Sequence, residues 1–596
     1  MYRFLIFLLV NIFFIQASSQ DVITPYEKMG KNYTATYEEC IKYYYQLEEH
    51  YQGIRVMEMG ETDSGFPLHL ILLNAENNFN PKTWKRKKQV VLLINNGIHP
   101  GEPDGIDASM MLARDIVQKI AAGEFSKQVS IAIIPVYNIG GALNRSANFR
   151  VDQNGPDEFG SRGNAQNLDL NRDFIKCDSK EARSFATIFH YLQPTLFMDN
   201  HVSDGADYSY VMTLASTQSD KLGGVLGNYL HQKMEPALFE SMKAKSFPMQ
   251  YYVNAWSGDA ANGWNQFFDS PRYSSGYAAL FNTLSFVPET HMLKPYVQRV
   301  EATYQLMQTM IDYADQHHDG LIALIQQADE NVQKQDRFPV SWSLDESIVD
   351  SITYAGYRYE QKISDVSGLP FSVYNKAAPF ERNIPFHNHY KTQYEVIAPE
   401  AYIIPQGWYK VIDLLKLNRI NMTPLETDTT LNVQVYYIRG YQSSEKPYEG
   451  HHANHDVQVE MKEEKLLFRK GDMLIPLNQH GKRFLIETLE PQGMDSYFTW
   501  NFFDPILNQK EGFTPYAFEA IASKYLNDHP EIRKKLEAKK LDDKKFASDT
   551  QQQLEFVYKL SEYAEPAYQR YPVYRVSTSG NAELLQEKLP RNKTDE

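Results

Sequence analysis

Between Gln89 and Gln316, short uninterrupted apolar runs alternate with segments of helical periodicity, and this alternation restricts the possible folds more than any other feature. Val90-Val91-Leu92-Leu93-Ile94 reads as a buried strand that ends at Asn95-Asn96-Gly97. Ile106, Met110, Ala113, Val117 and Ile120 then recur at spacings of three and four, with Pro103 and Asp104 suited to the first turn of that helix. The same signals predict strands over 129–135, 195–200 and 284–288, and helices over 179–192, 220–244 and 294–313. Strand and helix in alternation give an α/β fold, with a mixed, mostly parallel central sheet flanked by helices. In such sheets, sites form where strands end.

At 596 residues the chain is too long for one ordinary core, so further folded regions are expected. After about Leu321 the pattern changes. Leu431, Val433, Val435 and Tyr437 alternate with polar neighbours, as do Val457, Val459 and Met461, which predicts a β-rich accessory region over 321–510. Residues 511–596 read as a helical C-terminal segment with a polar tail. His451-His452-Ala453-Asn454-His455-Asp456 lies between two strand-like runs and reads as a solvated loop, with a second metal site as the alternative. Trp500-Asn501-Phe502-Phe503-Asp504 reads as packing at a domain interface, or else as an aromatic patch facing carbohydrate.

At the other end, Arg3 precedes the apolar run Phe4 to Val10, and Ala17-Ser18-Ser19 supplies small residues for cleavage. Residues 1–19 are therefore expected to be a signal peptide, and the mature protein secreted or periplasmic. A spanning helix needs about 20 apolar residues, and no later segment supplies them. With 60 basic against 75 acidic residues and a net charge of −15, nothing favours a nucleic-acid partner. Cys40 and Cys177 could form at most one bridge. Oligomeric state is not legible.

Four segments carry chemistry. His99-Pro100-Gly101-Glu102 follows the first strong strand, and a histidine and a glutamate so spaced can turn toward one cation from a tight loop. His201 ends the run Thr195 to Asn200. Two histidines and a glutamate leave a zinc ion one open position, as catalytic sites require. In Asn167-Leu168-Asp169-Leu170-Asn171-Arg172, an amide beside a planar guanidinium suits recognition of a carboxylate, with a structural ion pair as the bland alternative. Glu289 ends the apolar stretch Ser285-Phe286-Val287-Pro288, where a carboxylate is costly to desolvate and tends to have a role.

In this order and spacing the four segments resemble the zinc metallocarboxypeptidase family, the carboxypeptidase A-like enzymes, over roughly residues 25–320. The resemblance implies that residues 20–320 form the catalytic domain, and that one zinc ion (Zn2+) is held by His99, Glu102 and His201. It gives Asp169 the task of orienting the first ligand histidine, and Asn171 and Arg172 that of gripping the substrate's terminal carboxylate. Glu289 matches the general base. For the arginine that polarises the scissile carbonyl, Arg150 is the best match, with Arg145 and Arg162 as rivals. For the mobile tyrosine, the stretch Pro271 to Tyr277 offers Tyr273 and Tyr277, of which Tyr277 is taken as the substrate-binding residue. Val202-Ser203-Asp204 departs from the animal digestive members after the third ligand. The expected substrate is a peptide or protein with a free C-terminal carboxylate. Two alternatives remain: a zinc amidase, deacylase or cell-wall peptide hydrolase on the same site, and a zinc-dependent peptide-binding protein without catalysis.

Overall fold

The computed structural model describes residues 22–255 and 260–577. The expected leader and the polar tail lie outside the described residues. Among the described residues, no helix is long and apolar enough to cross a membrane.

In chain order the strands of the first half are β1 Ile54–Glu61, β2 Pro67–Leu73, β3 Val90–Asn95, β4 Val129–Ile134, β5 Leu196–Asp199, β6 His201–Ser203, β7 Met212–Ser216, β8 Met249–Tyr251, β9 Trp264–Asn265 and β10 Leu284–His291. All but β9 join one mixed sheet in the order β1-β2-β4-β3-β5-β10-β7-β8, with β6 continuing the line of β5 beside β10. The β3, β4, β5 and β10 ladders are parallel, while β1 and β2 pair antiparallel at one edge and β7 runs against β10.

The central strands are apolar on both faces because both faces are covered. Val90, Leu92 and Ile94 face a core built with helices Tyr37–His50, Asp104–Ala122 and Tyr296–Gln316. Val91 and Leu93 face the opposite core, which includes helix Lys180–Leu192. Period-two alternation thus divides each strand between two helical layers. The 220–244 segment is broken where one helix was expected. Gly223 and Gly224 both take positive φ, and a π turn over Leu230–Met234 precedes Glu235–Ala244. The adjacent glycines were the signal for that break.

Residue 320 lies inside helix His318–Lys334, so the change from helix to strand falls after Lys334. There follow β11 Arg337–Leu344, β12 Asp350–Ile363, β13 Pro370–His387, β14 Tyr390–Ile397, β15 Ala401–Ile404, β16 Thr423–Pro424, β17 Thr429–Ser443, β18 Asn454–Phe468 and β19 Met473–Pro476. Helices Pro515–Asp528, Pro530–Asp542 and Thr550–Lys559 come next, and β20 Tyr574–Val576 returns to pair with β15 and β17. The two halves share their core. Ile438, Ile475, Tyr497, Trp500 and Tyr571 are buried in the same cluster as Phe185, Phe189 and Tyr277. That shared packing brings the long hairpin of β17 and β18 to the sheet edge where β3 and β5 end.

Candidate metal centre

The carboxyl ends of β3, β5 and β10 meet at one edge of the sheet. Asn95 donates to Asp199 Oδ1 at 2.9 Å, and Asn200 donates to Asn96 Oδ1 at 2.8 Å, which ties the two strand exits together. Gly105, in the first turn of the following helix, packs directly on this link: a Cβ there would lie 2.4 Å from Asn96 Oδ1 and 2.6 Å from the Asn200 Cβ. No side chain fits at that position.

From this frame His99, Glu102 and His201 converge, all buried. His99 Nδ1 and His201 Nδ1 lie 3.3 and 3.1 Å from the same oxygen, Glu102 Oε2, and the ring centroids are 5.0 Å apart. Each outer nitrogen faces a carboxylate: His99 Nε2 is 2.9 Å from Asp169 Oδ1, and His201 Nε2 is 3.2 Å from Asp199 Oδ2. His99 Nδ1 is buried without a hydrogen bond. Two inward Nδ1 atoms, an inward carboxylate and outer nitrogens backed by acids are what a divalent cation such as zinc asks of protein ligands. The residues therefore fit the ion. Burial opposes the charge on Glu102, but His99 and Arg150 outweigh it and hold the carboxyl well below its usual range. Asp169 likewise stays far below its usual range against burial, through His99, Arg162 and Arg172.

A cavity of about 310 Å³ opens in front of these three side chains, lined by Arg150, Arg162, Asn171, Arg172, Tyr273 and Glu289 among others. Glu289 stands in register with His201 on adjacent parallel strands. Burial pushes its carboxyl up to about 8, with Glu102 adding to the shift and His201 and the arginines opposing it. Arg150 donates to Glu102 Oε1 at 2.7 Å and to the Val202 carbonyl at 2.9 Å. Arg162 reaches Asp169 Oδ2 at 2.9 Å. Arg145 is not in the cavity; it donates to the carbonyls of Thr34, Ala35 and Glu158. Asn171 and Arg172 sit in a short 3-10 turn capped by Asp169, whose Oδ1 accepts from the Asn171 amide at 2.9 Å.

The expectation for Tyr277 is corrected. Its side chain is fully buried in the helix Ser274–Ala279, and its hydroxyl bonds to Asn418 Oδ1 at 2.7 Å and to His190 Nε2 at 3.1 Å, away from the cavity. Of the two candidates it is Tyr273 that lines the cavity, with its ring 4.5 Å from the Arg172 guanidinium carbon, and Tyr252 lines it as well. The loop around His451 is also not free: its Nε2 lies 2.8 Å from Asp178 Oδ2, and it is in no metal-ligating group among the described residues. Trp500 is buried against Arg272 and His451, in keeping with packing between the two halves.

Residues 40–218 match the family described as zinc carboxypeptidase. The matched stretch contains His99, Glu102, Asp169, Asn171, Arg172 and His201. Glu289 lies beyond it. Similar solved structures include a metallo-carboxypeptidase from Burkholderia cenocepacia (16% identity, 48% of this chain and 70% of that one, TM-score 0.36). Another is a carboxypeptidase A from Helicoverpa armigera (14% identity, 48% and 74%, TM-score 0.36). A third is bovine thrombin-activatable fibrinolysis inhibitor in complex with a tick carboxypeptidase inhibitor (12% identity, 50% and 99%, TM-score 0.35). No match was found among curated proteins.

Proposed function

We propose that the protein is an exported zinc-dependent metallocarboxypeptidase that hydrolyses the last peptide bond of a substrate with a free C-terminal carboxylate. The observation that carries this reading is the grouping of His99, Glu102 and His201 at one wall of a cavity whose other walls hold Glu289, Arg150, Asn171 and Arg172. Zinc held by the two Nδ1 atoms and Glu102 would supply Lewis acidity and a more acidic water. Glu289 takes the proton from the attacking water and delivers it to the leaving amine. Arg150 offers positive charge to the oxygen that becomes negative as the carbonyl is attacked. Arg172 and Asn171 hold the terminal carboxylate, so that the bond presented for cleavage is the last one. Tyr273, stacked on Arg172, closes the same side of the cavity. Export rests on the expected leader alone.

The test is a matched pair of peptides, one with a free C-terminus and one amidated, incubated with zinc-loaded protein. Release of the last residue from the acid, and little from the amide, is expected. Equal cleavage of both would overturn the carboxypeptidase reading in favour of an amidase, and binding without hydrolysis would favour a non-catalytic receptor.

A further inference from the structure

The hairpin β17–β18 belongs to the β-rich half, yet its tip ends on the carboxylate-binding loop of the first half. Tyr448 and His451 exchange backbone hydrogen bonds across a two-residue turn, Glu449-Gly450, in which both residues take positive φ (49° and 78°). Turns of this kind favour Asn, Asp or Gly at both positions, because a larger side chain crowds its own backbone in the left-handed region. A glutamate there is locally unfavourable, and it makes a contact that the favoured residues are too short to make: Glu449 Oε2 accepts from the Asp169 amide at 2.8 Å. Beside it, the Tyr448 hydroxyl accepts from Arg172 Nε at 2.8 Å. Arg172 is thus fixed on two sides, by Tyr448 at its Nε and by the Tyr273 ring at its face. His451 completes the tip by pairing with Asp178, which also holds Lys176. Beneath Tyr448, Arg272 pairs with Asp495 and stacks on Trp500, so the hairpin stands on a firm base.

We propose that this tip is a positioning element of the site: Tyr448 sets the Arg172 guanidinium for the substrate's terminal carboxylate, and Glu449 holds the loop Asp169–Arg172 from behind. The β-rich half is then a functional part of the site as well as a partner in packing. The inference rests on the reading of Arg172 as a carboxylate clamp. Backbone strain retained at a functional position, with a side chain that exploits it, is a recognised pattern. Here the strained residue reaches the loop from 280 residues away in sequence.

The experiment compares wild type with Tyr448→Phe, Glu449→Gly and the control His455→Ala, whose imidazole lies on the far strand and pairs with Asp456. Tyr448→Phe keeps the ring and removes the acceptor, and Glu449→Gly relaxes the turn while deleting the contact. Binding of the free-acid peptide and of its amide is measured by calorimetry on zinc-loaded Glu289→Gln protein carrying each change, and turnover is measured in the wild-type background. Each hairpin variant should weaken acid binding about tenfold, as loss of a hydrogen bond to a charged group implies. Amide binding should not change, and KM should rise with kcat within about twofold. His455→Ala should match the parent. Unchanged discrimination between acid and amide in both hairpin variants would overturn the proposal, as would an equal loss for both peptides. A wild-type enzyme that releases no residue would instead refute the proposed activity, and the binding arm, which needs no turnover, would still decide the role of the hairpin.

Discussion

Asp169 offers the sharpest mutational test of the metal centre. Its Oδ1 accepts from His99 Nε2 at 2.9 Å and from the Asn171 amide at 2.9 Å, so one oxygen sets both the His99 ring and the start of the turn that carries Asn171 and Arg172. In Asp169→Asn the side chain keeps its size and one acceptor oxygen and loses its charge. A hydrogen bond to a charged group contributes about 1.5–3 kcal/mol, and each 1.4 kcal/mol is about tenfold in a binding constant. Zinc affinity should therefore fall about 10- to 100-fold, the range common for carboxylates that orient ligand histidines. The loss at Arg162 should be small, because its side chain is half exposed and its pairing is screened. Competition against a chromophoric chelator measures the affinity directly. Zinc binding within twofold of wild type would refute the reasoning that Asp169 tunes His99 as a ligand.

Glu289→Gln should retain zinc and lose kcat by about 10² or more, measured in steady state on the free-acid peptide; near-normal turnover would remove Glu289 from the mechanism. Tyr277→Phe strips a buried hydroxyl from Asn418 and His190, so it should lower unfolding free energy by about 1–2 kcal/mol in urea titrations and leave KM alone. Tyr273→Ala should raise KM instead. His190 should make the fold acid-sensitive. Burial lowers its pKa from 6.5 to about 4, helped by His480 and Arg419 and opposed by the Asn418 hydrogen bond. The unfolded chain then takes up the proton first, so stability is lost as pH falls from about 6.5 toward 4, by up to about 3 kcal/mol. His190→Gln should flatten that part of the pH–stability curve, and an unchanged slope would contradict the assignment.

The sheet and the grouping of His99, Glu102 and His201 were legible because their signals are local. The run Val90 to Ile94 could only be buried, and His99 and Glu102 follow it within one turn. His201 and Glu289 were readable for the same reason, each following an apolar run, although the structure puts His201 at the start of β6 and Glu289 two residues inside the end of β10. The choice between Tyr273 and Tyr277 was not local. Tyr273 is the N-cap residue of the helix Ser274–Ala279 and Tyr277 lies inside it, and that helix is buried along its whole length, so which ring reaches the cavity depends on what packs around the helix. The hairpin contact was beyond sequence reasoning altogether. Glu449-Gly450 is not one of the residue pairs that signal a tight hairpin turn, and no spacing links it to Asp169. A shared core spanning both halves makes that link. The same core explains why the His451 loop, which reads as solvated, is pinned against Asp178.

Activity of the proposed kind requires His99, Glu102 and His201 to converge upon one ion. Equilibrium dialysis with elemental analysis tests it most directly. One zinc per chain is expected for wild type and for His451→Ala, with less than about a tenth of that for His99→Ala or His201→Ala at micromolar free zinc. Full zinc occupancy in either of the last two, or its loss in His451→Ala, would contradict the assignment of the site.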